Sequence, residues 1–275
     1  MSDHLSSADE AIRTASPALW AALSPLGRRV QQPVHFLPLQ TAQARGKAFN
    51  ATIGQITDGR GRAVPLPTLE AALGGLDDAA RSQALLYSPV EGLAEMRRTW
   101  RERQRRERPD APPSSLPLVT VGAEQGRTLV GELFAGEGRI VVLPEPVQAS
   151  DRDLFHLRLG ADVRTSVDDL PEGEPVLVVM DGSKGNREDL VRAASRGPVV
   201  AIVDGLFWDL IGLHENLFPI RVEGVDGLGV GFVTFPYPPD SAVADALEKK
   251  AKMLLRAQVG GPSTAMQTVL LRSLA

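Results

Sequence analysis

The chain has 275 residues, 43% of them hydrophobic and 23% charged, which is typical of a globular protein that can bury a sizeable core. Its net charge of −4 argues against nucleic-acid binding, and the absence of cysteine excludes disulfides, thiolate nucleophiles and cysteine-ligated zinc. No apolar run approaches the roughly 20 residues that span a bilayer, and the N-terminus lacks the features of a signal peptide. We therefore expect a cytoplasmic protein without membrane association.

The N-terminal quarter of the chain predicts a helix followed by an extended arm. Residues 8–24 have the apolar spacing of a helix. Residues 31–68 are rich in proline, glycine and glutamine, which favours an extended segment over a packed layer. We expect two parts of the chain: an N-terminal helix and arm over residues 1–68, and a larger α/β domain over residues 69–275.

A long helix is predicted after Gly92, with Met96 and Trp100 on its buried face. Its continuation, Arg101–Arg108, is strongly basic, and a nucleic-acid patch is one interpretation. Glutamates interleave with the arginines at helical spacing, however, and no aromatic side chain lies beside them to stack on bases. This pattern favours a solvated helix face.

A strand, a glycine and a helix follow the proline-rich linker. Leu118–Gly122 predicts the strand and Ala123–Phe134 the helix. Free backbone N–H groups at such a helix start can hold a phosphate, so Gly122 and Ala123 are candidate binding residues. Glu124 lies in the first turn and would repel an anion, so an unoccupied structural turn is the alternative.

Short apolar runs bounded by turn residues predict further buried strands. These runs lie at residues 139–143, 175–180, 198–204 and 229–235. Two helices are predicted near the C-terminus, over residues 241–259 and 265–274. The first is expected to bury Val243, Ala244, Leu247, Met253 and Leu254.

Asp204 ends one of these predicted strands. An aspartate at the C-terminal end of a buried parallel strand lies where α/β sheets place their ligands. The alternative is an acid that only caps the next turn, and the residues alone leave both open. The four histidines lack metal-ligand spacing, so we expect no metal site, and no nucleophile elbow or phosphate-binding P-loop occurs.

Two groups of motifs carry a resemblance to a known family. The strand that ends in Asp204 is followed by an aromatic residue, an acidic surface loop and then Val230–Phe235, and Tyr87–Gly92 has the form Y-x-P-x-x-G. This order resembles the large domain of the class I/II (fold type I) pyridoxal-phosphate aminotransferases, over nearly the whole chain from Phe49 onward. The resemblance implies a three-layer α/β/α sandwich with a mostly parallel sheet, a missing small C-terminal domain, and a dimer.

The resemblance also assigns cofactor-site positions to six residues: Tyr87, Gly122 and Ala123 at the phosphate, Asp204 at the pyridine nitrogen, and Asn186 and Phe207 at the ring hydroxyl. Other parts of the family's site are missing. The Schiff-base lysine between the two strands is absent, Gly229 stands where an arginine holds the phosphate, and Val147–Ser150 replaces a stacking aromatic. We therefore expect no bound cofactor.

Lys184 is the alternative Schiff-base lysine. It follows a predicted strand at the presumed cleft, and the sequence Asp181–Lys184 superficially copies the family's catalytic segment. It precedes Asp204, however, whereas the family's lysine follows that aspartate. A lysine on a glycine-flanked loop is normally solvated, so a turn lysine without a catalytic role is the other interpretation.

These observations predict an aminotransferase-like protein that has lost catalysis and acts as a dimeric binding, scaffolding or regulatory subunit. It would form a homodimer, or a heterodimer with an active aminotransferase. The first alternative is an active enzyme that binds pyridoxal phosphate through Lys184. A third hypothesis is another small ligand in the vacated cleft. A cleft filled by Phe207 and Trp208 would favour the noncatalytic subunit. A ring-sized gap between Lys184 and Asp204 would favour the active enzyme.

Overall fold

The computed structural model describes residues 7–23, 42–44, 66–180, 186–225 and 227–274. Most of the predicted arm lies outside these residues. The helices are α1 (Ser7–Ala15), α2 (Pro17–Ala22), α3 (Pro67–Gly74), α4 (Asp78–Ala84), α5 (Ala94–Glu107), α6 (Gly122–Phe134), α7 (Ala149–Arg152) with a π-helical continuation (Asp153–Arg158), α8 (Arg187–Ala194), α9 (Phe207–Leu210), α10 (Ala242–Val259) and α11 (Thr264–Leu274). The strands are β1 (Leu118–Thr120), β2 (Ile140–Val142), β3 (Asp162–Arg164), β4 (Val176–Val179), β5 (Val199–Val203), β6 (Leu217–Val225) and β7 (Val230–Thr234).

These strands form a seven-stranded sheet within the described part of the chain, in the order β1-β7-β6-β5-β4-β2-β3. Neighbouring strands from β3 across to β6 are parallel. Strand β7 runs antiparallel to both of its neighbours, β6 and β1. The predicted α/β class with a mostly parallel sheet is therefore confirmed. Over the described ranges, no helix combines the length and apolar character needed to cross a membrane.

Helices pack on both faces of the sheet. Successive side chains of a strand point to opposite faces, so Val176 and Val178 of β4 join the core beneath α8 and α9. Leu177 and Val179 join the core beneath α6 and α10. The architecture is thus the predicted three-layer α/β/α sandwich. Each fully buried aliphatic side chain in its two cores contributes about 1.5–3 kcal/mol to the free energy of folding.

Helix α5 matches its prediction. Met96 and Trp100 are buried, and the Trp100 ring stacks on Phe232 of β7 with centroids 3.9 Å apart. Most of the basic tract is exposed, as expected for a solvated face. Gln104 is the exception, because it is fully buried against the sheet. The helix therefore buries one polar side chain, Gln104, beside the apolar Met96 and Trp100.

Strand β6 corrects the prediction of an acidic surface loop between Asp204 and β7. It pairs in parallel with β5 and antiparallel with β7, so it lies inside the sheet. Pro219 near its start and the buried charges Arg221 and Glu223 break the apolar run that usually marks such a strand. The charges are tolerated because they pair with each other, at 2.9 Å.

Two helix predictions also need correction. The first predicted helix is divided into α1 and α2 at Pro17, which has no N–H to continue the hydrogen-bond ladder. In α10, Val243 and Met253 are exposed, at 47% and 57%, rather than buried. Ala244 is buried as predicted, Leu247 and Leu254 are partly buried, and Ala251 and Leu255 complete the buried face.

Candidate functional site

A cavity of about 590 Å³ opens beyond the carboxyl ends of the parallel strands β4, β5 and β6. Open α/β sheets bind ligands at this edge. The cavity is lined by the first turns of α6, the ends of the three strands, and the connection from β6 to β7. The lining residues are Gly122, Ala123, Glu124, Arg127, Gln148, Met180, Ile202, Val203, Asp204, Val222, Glu223, Gly224, Val225, Gly227 and Gly229.

Glycines allow the N-terminus of α6 to lie directly against the sheet. A Cβ on Gly231 of β7 would come within 2.4 Å of the backbone carbonyl of Gly122. A Cβ on Gly224 of β6 would come within 3.2 Å of the Ala123 Cβ. Gly122 itself has φ +74°, in the left-handed region that favours glycine. This close approach brings Gly122 and Ala123 to the cavity wall.

Arg221 of β6 is not itself a lining residue, but it pairs with two carboxylates that are, Asp204 and Glu223. Its Nε donates a hydrogen bond to Asp204 Oδ1 at 3.2 Å. Its Nη2 lies 2.9 Å from Oε2 of Glu107 and 2.9 Å from Oε1 of Glu223. The Arg221 side chain is only 7% exposed. One buried guanidinium is therefore shared by three carboxylates.

Side chains of helix α5 bind the other carboxylate oxygen of Glu223. Trp100 Nε1 donates to Glu223 Oε2 at 3.0 Å, and Gln104 Nε2 donates to the same oxygen and to Thr234 Oγ1. Burial raises the pKa of Glu223, although Arg221 and these donors oppose the rise. Burial alone would lower the pKa of Arg221, but Glu223 and the other carboxylates outweigh it and raise that pKa. The guanidinium is therefore cationic.

Three of the predicted site residues meet at the cavity, namely Gly122, Ala123 and Asp204. The Asp204 side chain is 54% exposed at the end of β5, so one side of it faces solvent while Arg221 holds the other. These three residues of the sequence-based prediction therefore lie together at the cavity, but Arg221, which pairs with Asp204, was not predicted.

The other predicted residues do not line this cavity. Tyr87 is 80% exposed and donates a hydrogen bond to the carbonyl oxygen that follows α10, at 3.0 Å. Asn186 caps α8 by accepting a backbone N–H at 2.9 Å. Phe207 is fully buried in the core and packs edge-on against Trp208, so neither ring fills the cleft. Lys184 lies outside the described residues.

Sequence reasoning missed the ion pair of Arg221 and Glu223, of which Glu223 lines the cavity. The available signal was their spacing, because residues two apart on a strand point to the same face. An opposite-charge pair with that spacing, flanked by Ile220 and Val222, is typical of a strand that buries an ion pair.

The lining carries more acid than base. Glu124, Asp204 and Glu223 are carboxylates, and Arg127 is the single cation among the described lining residues. Arg127 Nη1 already lies 3.6 Å from a carboxylate oxygen of Asp151. A phosphate dianion in this cavity would therefore meet a surplus of negative charge.

The described lining does not fit pyridoxal phosphate, the cofactor implied by the resemblance. It contains no lysine and no aromatic ring, and Gln148 lies in the segment that corresponds to the stacking aromatic. Asp204 is already paired with Arg221, and Glu124 faces the position of a phosphate. No reaction step through the cofactor follows from these residues.

Comparisons with known proteins find structural rather than sequence similarity. No family model matches the chain, and no curated protein matches it. An aminotransferase from Anaerococcus prevotii superposes with TM-score 0.67 at 16% identity, covering 90% of this chain and 75% of that one. A double mutant of Thermus thermophilus aspartate aminotransferase gives TM-score 0.67 at 16% identity, covering 92% and 73%. YbdL from Escherichia coli, described with a methionine aminotransferase function, gives 0.66 at 15%, covering 92% and 72%. The chain therefore has the fold of the fold type I aminotransferases.

Proposed function

We propose that this chain is an aminotransferase-fold protein that has lost pyridoxal phosphate catalysis and acts as a dimeric binding or scaffolding subunit. The observation that carries the proposal is the charge of the cavity. Arg221 takes up the aspartate expected to bind the ring, and the remaining lining opposes a phosphate. A cofactor held at both points would meet an aspartate already shared with Arg221 at one end and a carboxylate instead of a cation at the other.

The open cavity supports an additional role in binding a small ligand other than the cofactor. Its volume of about 590 Å³ falls within the range of ligand pockets, and neither Phe207 nor Trp208 enters it. A filled cleft would have favoured scaffolding alone. The proposal is therefore a noncatalytic protein that retains a ligand cavity.

Reductive trapping tests the loss of catalysis. Pyridoxal phosphate is added to the protein, borohydride reduces any aldimine to a stable amine, and mass spectrometry locates the labelled lysines. We expect weak labelling spread over exposed lysines and no change in the Lys184→Ala variant. One stoichiometric label on Lys184 would contradict the proposal and support the alternative of an active enzyme with a relocated lysine.

An exposed apolar patch supports the dimer. Leu85, Leu86 and Tyr87 are exposed at 86%, 64% and 80%. The Tyr87 hydroxyl donates a hydrogen bond to the carbonyl oxygen of Gly260, which fixes this part of the patch against the end of α10. In this proposal the patch meets a second copy or an active relative, residues 69–275 form the body, and residues 1–68 form the arm. Exposed contiguous apolar surface is typical of such interfaces.

We expect the double substitution Leu85→Asp and Leu86→Asp to convert a dimer into a monomer, because buried charges at an interface are strongly unfavourable. Light scattering after size exclusion measures the mass. Val243→Asp is the control, because this exposed residue lies about 24 Å along α10 from the end that meets Tyr87. A wild-type mass of one chain, or an unchanged mass in the double variant, would contradict the proposed interface.

A further inference from the structure

Glu124 has a distinctive position at the cavity. It lies in the first turn of α6, is exposed, and belongs to the cavity lining. Its Oε2 is 3.6 Å from the point where a Cβ on Gly122 would lie. The carboxylate therefore folds back toward the start of the helix.

The start of α6 would otherwise attract an anion. The helix has 13 residues, so its first backbone N–H groups carry the partial positive charge of a full helix. A phosphate binds well at such a position. The carboxylate of Glu124 places a negative charge at this helix end. It would therefore compete with an incoming phosphate for the same backbone N–H donors.

The other described lining residues do not compensate for this carboxylate. Asp204 and Glu223 line it with two further carboxylates, and the charge of Arg221 is already shared among three acids. Arg127 lies one turn further along α6 and faces Asp151 at 3.6 Å. A ligand with a phosphate group would therefore meet repulsion at the very helix end that normally binds it.

We propose that Glu124 is a specificity-determining residue that excludes phosphorylated ligands and restricts the cavity to small molecules without a phosphate group. This inference rests on the proposed function, because it takes the cavity as the ligand site of a noncatalytic protein.

The test compares two probes that differ only by the phosphate. Pyridoxamine 5′-phosphate and pyridoxamine lack an aldehyde, so neither forms an aldimine with a lysine. Isothermal titration calorimetry measures both against the wild type and Glu124→Gln. We expect Glu124→Gln to raise the affinity for the phosphorylated probe at least about tenfold and to leave that for pyridoxamine unchanged.

Two control variants separate this effect from net charge. Glu95→Gln removes the same charge from the first turn of another helix, α5, and is expected to leave both affinities unchanged. Glu124→Asp retains the charge and is expected to keep the phosphorylated probe weak. A gain that is equal for both probes, or no gain at all, overturns the role of Glu124 and leaves the proposed function intact. The proposed function is tested separately with pyridoxal phosphate, and a stoichiometric aldimine of the wild type with that aldehyde would contradict it.

Discussion

Replacing Arg221 with methionine is expected to lower the free energy of unfolding by about 3–5 kcal/mol, because it leaves Glu223 buried without a counter-charge. The methionine matches the length of the arginine stem, so the loss is mainly electrostatic. Urea denaturation followed by circular dichroism measures the change. The double variant Arg221→Met with Glu223→Gln is the matched control and is expected to recover most of the loss, because it removes the pair together.

The stability lost in Arg221→Met is expected to increase with pH. The raised pKa of Glu223 means that the folded protein holds the carboxyl proton more tightly than the unfolded chain. The cost of the ionised Glu223 is therefore absent below its ordinary pKa and grows as the pH rises through the shifted value. In Arg221→Met this cost is uncompensated, so the loss should be larger at about pH 8 than at about pH 5. A loss that is equal at both pH values, or larger at the lower one, would contradict the account.

Gly231→Ala is expected to cost about 3 kcal/mol, because the added Cβ would lie 2.4 Å from the backbone of Gly122. That backbone belongs to the start of α6 and cannot rotate away, so the helix or the strand must shift. Thermal and urea unfolding measure the loss. Gly205→Ala is the control, since no atom lies within 4 Å of its added Cβ, and its effect should stay within about 0.5 kcal/mol. Equal stabilities of the two variants would show that the close packing of α6 on β7 is unimportant.

The sequence allowed the edge of the sheet that carries the cavity to be located, because local patterns specify it. Asp204 follows a short apolar run, and Gly122 follows another just before a helix, so both strand ends could be predicted. In a sheet with parallel strands these ends lie at one edge, which is where the cavity opens. Met96 and Trp100 were predicted for the same reason, because helical spacing identifies a buried face.

The electrostatics of the site could not be predicted in the same way, because they depend on contacts between distant segments. Arg221 is tolerated in a central strand because three carboxylates surround it. Glu223 is two positions away, but Asp204 and Glu107 are 17 and 114 positions away in sequence. The direction of Phe207 likewise depends on how α9 packs beneath the sheet rather than on its distance from Asp204. Pro219 concealed β6, since proline is rare inside a sheet.

An absorbance titration of the purified protein with pyridoxal phosphate tests the central claim most directly. The protonated internal aldimine has its own visible band, so its formation is read without any assumption about a substrate. We predict no saturable aldimine band, so that any departure from the sum of protein and free cofactor stays weak and does not level off at one cofactor per chain. A band that grows to saturation at one cofactor per chain, and that disappears in Lys184→Ala, would contradict the claim and assign this fold a working cofactor site.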